Sequence, residues 1–440
     1  MHNIGARIVA VVLLSLISIS SAWGYSYISS ADSSSSLSTP PTDSTSTILP
    51  TPTPTPTVDK NIYPIPASKV SSVLFSLSQH VGGSKKDEIL NVIDTGRDIY
   101  LIGDSDSPDK DVCAKKTSSV FVTKLSSSTL DKTNSISISE SAPTYYLTST
   151  LIKDGILIIT TDRESITIHR YSYNLVYLNS TKLMIGDVVK ADSYLVDDEV
   201  YLLLGTKNGV HMVKTSHLLE IKYARLVAEQ CSMQSSSILG SGDFLLVTNC
   251  PQGIRLHRVS YDSNVTNTSY IYQEEAKAID ISPSLDSSIG AYAILYTTSS
   301  HLRLRIIDQS LLTVQDTLVD SGSRGRLIPL SRGYLVISYD TTSSTTLCKH
   351  GDIIKNNSIK FDDNVVYQPK ADSVLLIGTI GDKVSVYDYT QSLETSYHIS
   401  IPYAKPVYLS EYLMVLNSNQ NVSPYLYGYG DTDGYILRYD

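Results

Sequence analysis

The sequence predicts an all-β fold in which short four-stranded units repeat around a closed ring, a β-propeller. Three observations carry the prediction. A strongly apolar run recurs eight times along the chain, an alternating apolar and polar run follows nearly every one, and no amphipathic helix of useful length interrupts them.

The apolar runs begin at Ile99 (IYLIG), Ile156 (ILIIT), Tyr201 (YLLLG), Phe244 (FLLVT), Tyr292 (YAILY), Tyr334 (YLVIS), Val374 (VLLIG) and Tyr412 (YLMVL). Their starts step by 57, 45, 43, 48, 42, 40 and 38 residues. Four short antiparallel strands and their turns consume ~40–50 residues of a propeller blade. A single propeller of eight four-stranded blades is therefore expected; if the first unit forms an irregular cap, the count is seven. The second run of each unit alternates, so one face packs and the other is more polar. These runs are VFVTKLS from Val120, ITIHRYS from Ile166, VHMVKTS from Val210, IRLHRVS from Ile254, LRLRIID from Leu302, VSVYDYT from Val384 and YILRYD from Tyr435. The sixth unit, TLCKHGD from Thr346, matches least well. His169 and His257 fall at one repeat position, and no two His or Cys residues sit at a metal-ligand spacing on one element. Both histidines read as structural, and no metal site is predicted.

The last unit stops at Asp440 directly after its third strand, while Ser72 to Ser78 (SVLFSLS) has strand character ahead of the first unit. Pairing the two would close the ring and leave no unpaired edge.

Upstream of the repeats, Arg7, the apolar stretch Ile8 to Ile19 and the small residues that follow predict a signal peptide over residues 1–24. Residues 25–60 are rich in Ser, Thr and Pro, ending in TPTPTPT, and read as an extended stalk, bare or carrying O-linked sugars. Residues 61–440 form the propeller domain. The expected location is secreted or cell-surface, with membrane contact only if the leader stays uncleaved. A net charge of -9 without a basic stretch excludes nucleic acid as a partner. The one tryptophan, Trp23, belongs to the leader, which disfavours propeller families whose blades dock through Trp, including WD40, quinoprotein and sialidase types. Tyrosine could still stack on a sugar.

The stretch from Leu74 to Ser107 resembles the β-propeller repeat family called SBBP, in which a strand leads to a Gly-Gly-Ser step, an acidic pair, an inner strand, an Asp-x-x-Gly turn and a Tyr-containing apolar strand. Here these are Gly82, Gly83 and Ser84, Asp87 and Glu88, Asp94, and Tyr100. The segments SSVFVTKLS and GDTDGYILRYD look like the same family's third strand; units two to seven lack the Gly-Gly-Ser step. The resemblance implies an extracellular or cell-surface propeller and carries no catalytic residues over.

Two loops between second and third strands are long, Asp104 to Ser118 and Asn417 to Asp433, and ring closure would make them neighbours. Asp104, Asp106, Asp109, Asp111, Lys115 and Lys116 would then face Tyr425, Tyr427, Tyr429, Asp431 and Asp433, an acidic rim with aromatic planes suited to an extracellular protein or carbohydrate. Clustered carboxylates admit calcium, but Pro108 and the lack of a closing Glu favour solvated turn acids and no cofactor. Cys231 and Cys250 flank adjacent strands of neighbouring units and are the disulfide candidates. Glycosylation candidates are Asn179, Asn264, Asn267, Asn356 and Asn421, four of them at or just before a unit's fourth strand. No Gly-x-Ser-x-Gly elbow, phosphate loop or His-Glu-x-x-His occurs. The expected function is a non-catalytic binding or structural module. The alternative is a propeller-fold glycoside hydrolase or polysaccharide lyase, whose paired acids could come from distant blades.

Overall fold

The computed structural model describes residues 75–439, apart from 110–117, 141, 240–241, 273–275, 285–290, 300, 331–332, 340–344, 350–351, 357–360, 371–372, 381–382, 391–394, 403, 411 and 419–431. The leader and stalk predicted over residues 1–60 lie outside the described residues.

Among the described residues, strands gather into eight antiparallel four-stranded sheets. They are the blades of a propeller and span 87–138 (blade 1), 145–183 (blade 2), 188–229 (blade 3), 232–272 (blade 4), 276–321 (blade 5), 325–356 (blade 6), 363–402 (blade 7) and 404–439 (blade 8). First strands of successive blades touch one another, and blade 8 touches blade 1, so the ring is closed. Blade 8 takes its fourth strand from the other end of the domain: Phe75–Val81 pairs antiparallel with Asp433–Tyr439. The closing strand is described from Phe75 and runs on past Ser78 to Val81, while residues 72–74 of the predicted segment lie outside the described residues. The extension has a packing cause, because Val81 is fully buried with Ile89, Leu413 and Ile436 in the seam between blades 8 and 1.

The buried apolar residues divide into eight clusters, each straddling one seam between neighbouring blades. This explains the unbroken apolar runs. In FLLVT, Phe244 and Leu246 pack into the seam with blade 3, whereas Leu245 and Val247 pack into the seam with blade 5. A strand lying between two seams has no polar face to offer. The third strands alternate as predicted, and in blades 2 and 4 a histidine of the more polar face is buried as well. His169 is 6% exposed with Nε2 3.0 Å from Thr160 Oγ1, and in blade 4 His257 repeats the arrangement with Thr248 at 3.1 Å. Burial pushes both imidazoles down to about 4, so they are neutral near pH 7.

Buried tyrosines help to dock neighbouring blades. The Tyr100 ring is fully buried between blades 1 and 2, and its hydroxyl donates to the Tyr173 carbonyl at 2.7 Å. A buried phenol needs such an acceptor, and the turns of the adjacent blade supply it.

Candidate functional site

The roots of the two long loops converge at the ring closure, on the Gly82 to Asp87 segment. Asp87 donates its amide to the Thr432 carbonyl at 2.8 Å, and its buried carboxylate accepts from Gly83 N (2.5 Å), Ser105 Oγ (2.5 Å) and Ser107 Oγ (2.8 Å). The Gly-Gly step follows from this crowding. A Cβ on Gly82 would lie 2.0 Å from Asp433 Oδ1, and one on Gly83 would lie 2.4 Å from Ser107 Cβ. Asp433 is 1% exposed and 3.1 Å from His80 Nε2, so this acid of the predicted rim sits inside the closure. Asp109 is half-buried and accepts from Ser84 N at 2.9 Å, and exposed Asp106 accepts from Ser118 Oγ at 2.5 Å. Asp111, Lys115, Lys116, Tyr425, Tyr427, Tyr429 and Asp431 lie outside the described residues.

Asp104 has a different task. It ends the second strand of blade 1 and accepts the backbone amide of Tyr146, on the first strand of blade 2, at 2.8 Å. The equivalent residue of blade 4 is Asn249, which accepts from Ala278 N (2.8 Å) and donates to Ala278 O (3.4 Å). In blade 8 it is Asn417, bonded to Ile89 N (3.0 Å) and Ile89 O (2.8 Å). These three side chains clasp blades 1, 4 and 8 to the blade that follows by bonding to the backbone of its first strand. A carboxylate can copy only the accepting half of the clasp unless it is protonated. Burial raises the Asp104 carboxyl to about 7 against the Tyr146 amide, which stabilises the ionised form; nearby Glu88 and Asp106 add to the rise and Lys86 opposes it.

A concavity lies at the opposite ends of the strands, where the channel opens between blades 8, 1 and 2. It encloses about 710 Å³, within the range of small-molecule sites. Its rim is the turn Asp94 to Asp98, fixed by Gly96 N to Asp94 Oδ1 (2.8 Å) and by Thr95 Oγ1, which donates to Asp98 O at 2.9 Å. Gly96 needs its missing side chain here, at φ +79°. Beneath the turn, Lys124 Nζ meets Asp98 Oδ2 (3.1 Å) and Asn174 Oδ1 (3.1 Å) and lies 5.8 Å from the Tyr100 ring centre. Asp94 also accepts from the Tyr412 hydroxyl of blade 8. Val92, Leu151 and Tyr408 come from first strands, and Tyr173 and Asn174 from a turn of blade 2. Of the four charged side chains in the lining, Arg97 is exposed and makes no ion pair with the described residues. Sequence reasoning missed this pocket because its residues come from three blades and no local motif joins them; Asp94 and Tyr100 were noted only as repeat positions.

Cys231 and Cys250 are joined as a disulfide within blade 4 rather than between neighbouring units, because Cys231 directly precedes the first strand and Cys250 ends the second strand paired with it; His257 Nδ1 or Nε2 lies within 4.8 Å of their sulfurs. The Asn179 amide donates to Leu218 O at 3.1 Å on the outer strand of blade 2, and Asn264 is exposed ahead of the outer strand of blade 4. Asn267 and Asn356 lie on the outer strands of blades 4 and 6. Asn421 lies outside the described residues.

No family model matches the sequence, and no curated protein does. Among solved structures, the Dos1 propeller is similar over 83% of this chain and 95% of its own, with a TM-score of 0.53 and 12% identity. A virginiamycin B lyase from Staphylococcus aureus aligns over 68% of this chain and 97% of its own, with a TM-score of 0.44 and 13% identity. A puromycin hydrolase aligns over 81% and 63%, with a TM-score of 0.44 and 9% identity. At these identities the likeness establishes the β-propeller fold alone.

Proposed function

We propose that the chain is a secreted or cell-surface binding module, without catalysis, whose propeller presents the channel mouth beside blade 1 to an extracellular protein or glycan. The observation that carries this reading is the state of the pocket's carboxylates. Asp98 is paired with Lys124, and Asp94 is bonded through one oxygen to Gly96 N and through the other to the Tyr412 hydroxyl. Both acids therefore shape the rim. A glycosidase pair requires one acid free to protonate a leaving group and a second free to attack or to activate water. The acid with a carboxyl raised to about 7, Asp104, is a blade clasp on the opposite face.

The leader and stalk read from the sequence support surface display. Residues 25–60, extended as polyproline-rich chain, would hold the ring roughly 100 Å from their anchor point. The SBBP resemblance at blade 1 agrees with an extracellular setting.

The test uses the full chain on glycan and extracellular-protein arrays, with reducing-end release assayed on every glycan retained. Saturable retention without release is expected. Release that scales with protein concentration and disappears in Asp94→Asn or Asp98→Asn would establish the hydrolase or lyase instead.

A further inference from the structure

The pocket's chemistry narrows the ligand, on the premise that the channel mouth is the binding face. We infer that it is a subsite for an uncharged sugar residue, a flat-faced ring carrying several hydroxyls. The charged groups of the lining, Asp94, Asp98, Arg97 and Lys124, sum to zero. A phosphate or sulfate would meet two carboxylates, and the one buried cation, Lys124, is already engaged by Asp98 and Asn174. The apolar part of the lining, Val92, Leu151 and the rings of Tyr173 and Tyr408, is interleaved with charged groups that an extended apolar ligand would strip of water without replacing their hydrogen bonds. A sugar hydroxyl both donates and accepts, so it can use carboxylate, amide and guanidinium groups that stand side by side and fixed in direction.

Rigidity strengthens the case. The acceptors are held by the Asp94 to Asp98 turn and by Asn174, whose carbonyl accepts from Asn134 Nδ2 at 2.7 Å, so little ordering entropy remains to be lost on binding. The aromatic surfaces are tyrosines. Tyr173 is 37% exposed and anchored through its hydroxyl to Ile152 O at 2.5 Å, and Tyr408 borders the pocket from blade 8. A ring anchored at its polar end presents its face and edge to a ligand's C–H groups. The whole-chain charge of -9 acts in the same direction, repelling acidic polymers before contact.

The experiment is titration calorimetry of the full chain with maltotriose, cellotriose and chitotriose, and with trigalacturonate as the charged counterpart. At least one neutral trisaccharide is expected to bind saturably, with trigalacturonate weaker by roughly tenfold or more. Arg97→Ala and Tyr173→Ala are each expected to weaken the neutral ligand by roughly tenfold, while Asp106→Asn on the other face leaves it unchanged. Arg97 is exposed, so its variant should keep the wild-type thermal midpoint, and Arg97→Lys should recover part of the affinity. Preference for trigalacturonate, no neutral binding at millimolar concentration, or undiminished binding by Arg97→Ala and Tyr173→Ala would each overturn the inference. Glycan retained on the array by both variants would leave the binding-module reading standing and remove only this site; no retention by the wild-type chain would remove the reading itself.

Discussion

Replacing Asp104 with asparagine is expected to leave folding stability almost unchanged near pH 4 and to raise it by ~2–4 kcal/mol above the folded-state value of about 7. The sign follows from proton linkage. In the unfolded chain the carboxyl ionises near ~3.9, whereas in the folded ring it holds its proton to about 7, so between these values the folded state binds more protons. That contribution to stability is complete below the lower value and is lost as pH rises through the upper one. Asn249 and Asn417 show what the substitution supplies, an amide that accepts from the neighbouring blade's N–H and donates to its carbonyl at every pH. His169 and His257 act in the opposite sense. Their folded values of about 4 lie below the unfolded ~6.5, so their contribution is present above that value and is lost as pH falls toward the folded one. Their effect is common to both proteins and cancels in the difference. Urea titrations of the two proteins at several pH values would measure the gap; a gap independent of pH would show that Asp104 is ionised throughout.

Excising Phe75–Val81 from the otherwise intact chain should lower the thermal midpoint by about 10 °C or more, or abolish a cooperative transition. The loss has three physical parts. Asp433–Tyr439 becomes an open edge; Val81, fully buried, leaves a void worth ~2 kcal/mol of transfer free energy; and Asp433 keeps its buried carboxylate without His80 opposite. The seven-residue peptide FSLSQHV added in trans should restore part of the midpoint, and a version with the leucine replaced by aspartate should not. An excised chain that melts like the wild type would mean that the ring does not depend on this strand.

The ring was legible in the sequence because its cause is local. Each second strand lies between two seams and must be apolar on both faces, so it stands out as a run such as FLLVT, and the spacing of the runs counts the blades. Closure was legible for a related reason: the last unit ended one strand short, and SVLFSLS had strand character, although the strand runs on past Ser78 to Val81. The site was not legible. Asp104 looked like a solvent-facing acid in DSDSPDKD, yet it stands five places after its run's start, the repeat position from which Asn249 and Asn417 reach the next blade. Comparing that repeat position across the units could have revealed it. Asp433 was misread for the same reason, since an Asp-Gly pair usually marks an exposed turn, and only the closing strand brings His80 and Gly82 against it. The pocket depends on Asp94, Lys124, Asn174 and Tyr408, residues brought together from three blades, and pairing across blades leaves no periodic signal.

Which face binds is the point on which the functional account rests, and hydrogen exchange of the full chain with and without a saturating neutral trisaccharide measures it directly. The account predicts slowed exchange at the Asp94 to Asp98 turn and at Tyr173 and Asn174, with no change across Gly83 to Asp87 or Asp104 to Asp109. Protection confined to those last two segments, with the Asp94 to Asp98 turn unaffected, would contradict it and place binding on the loop face at the ring closure.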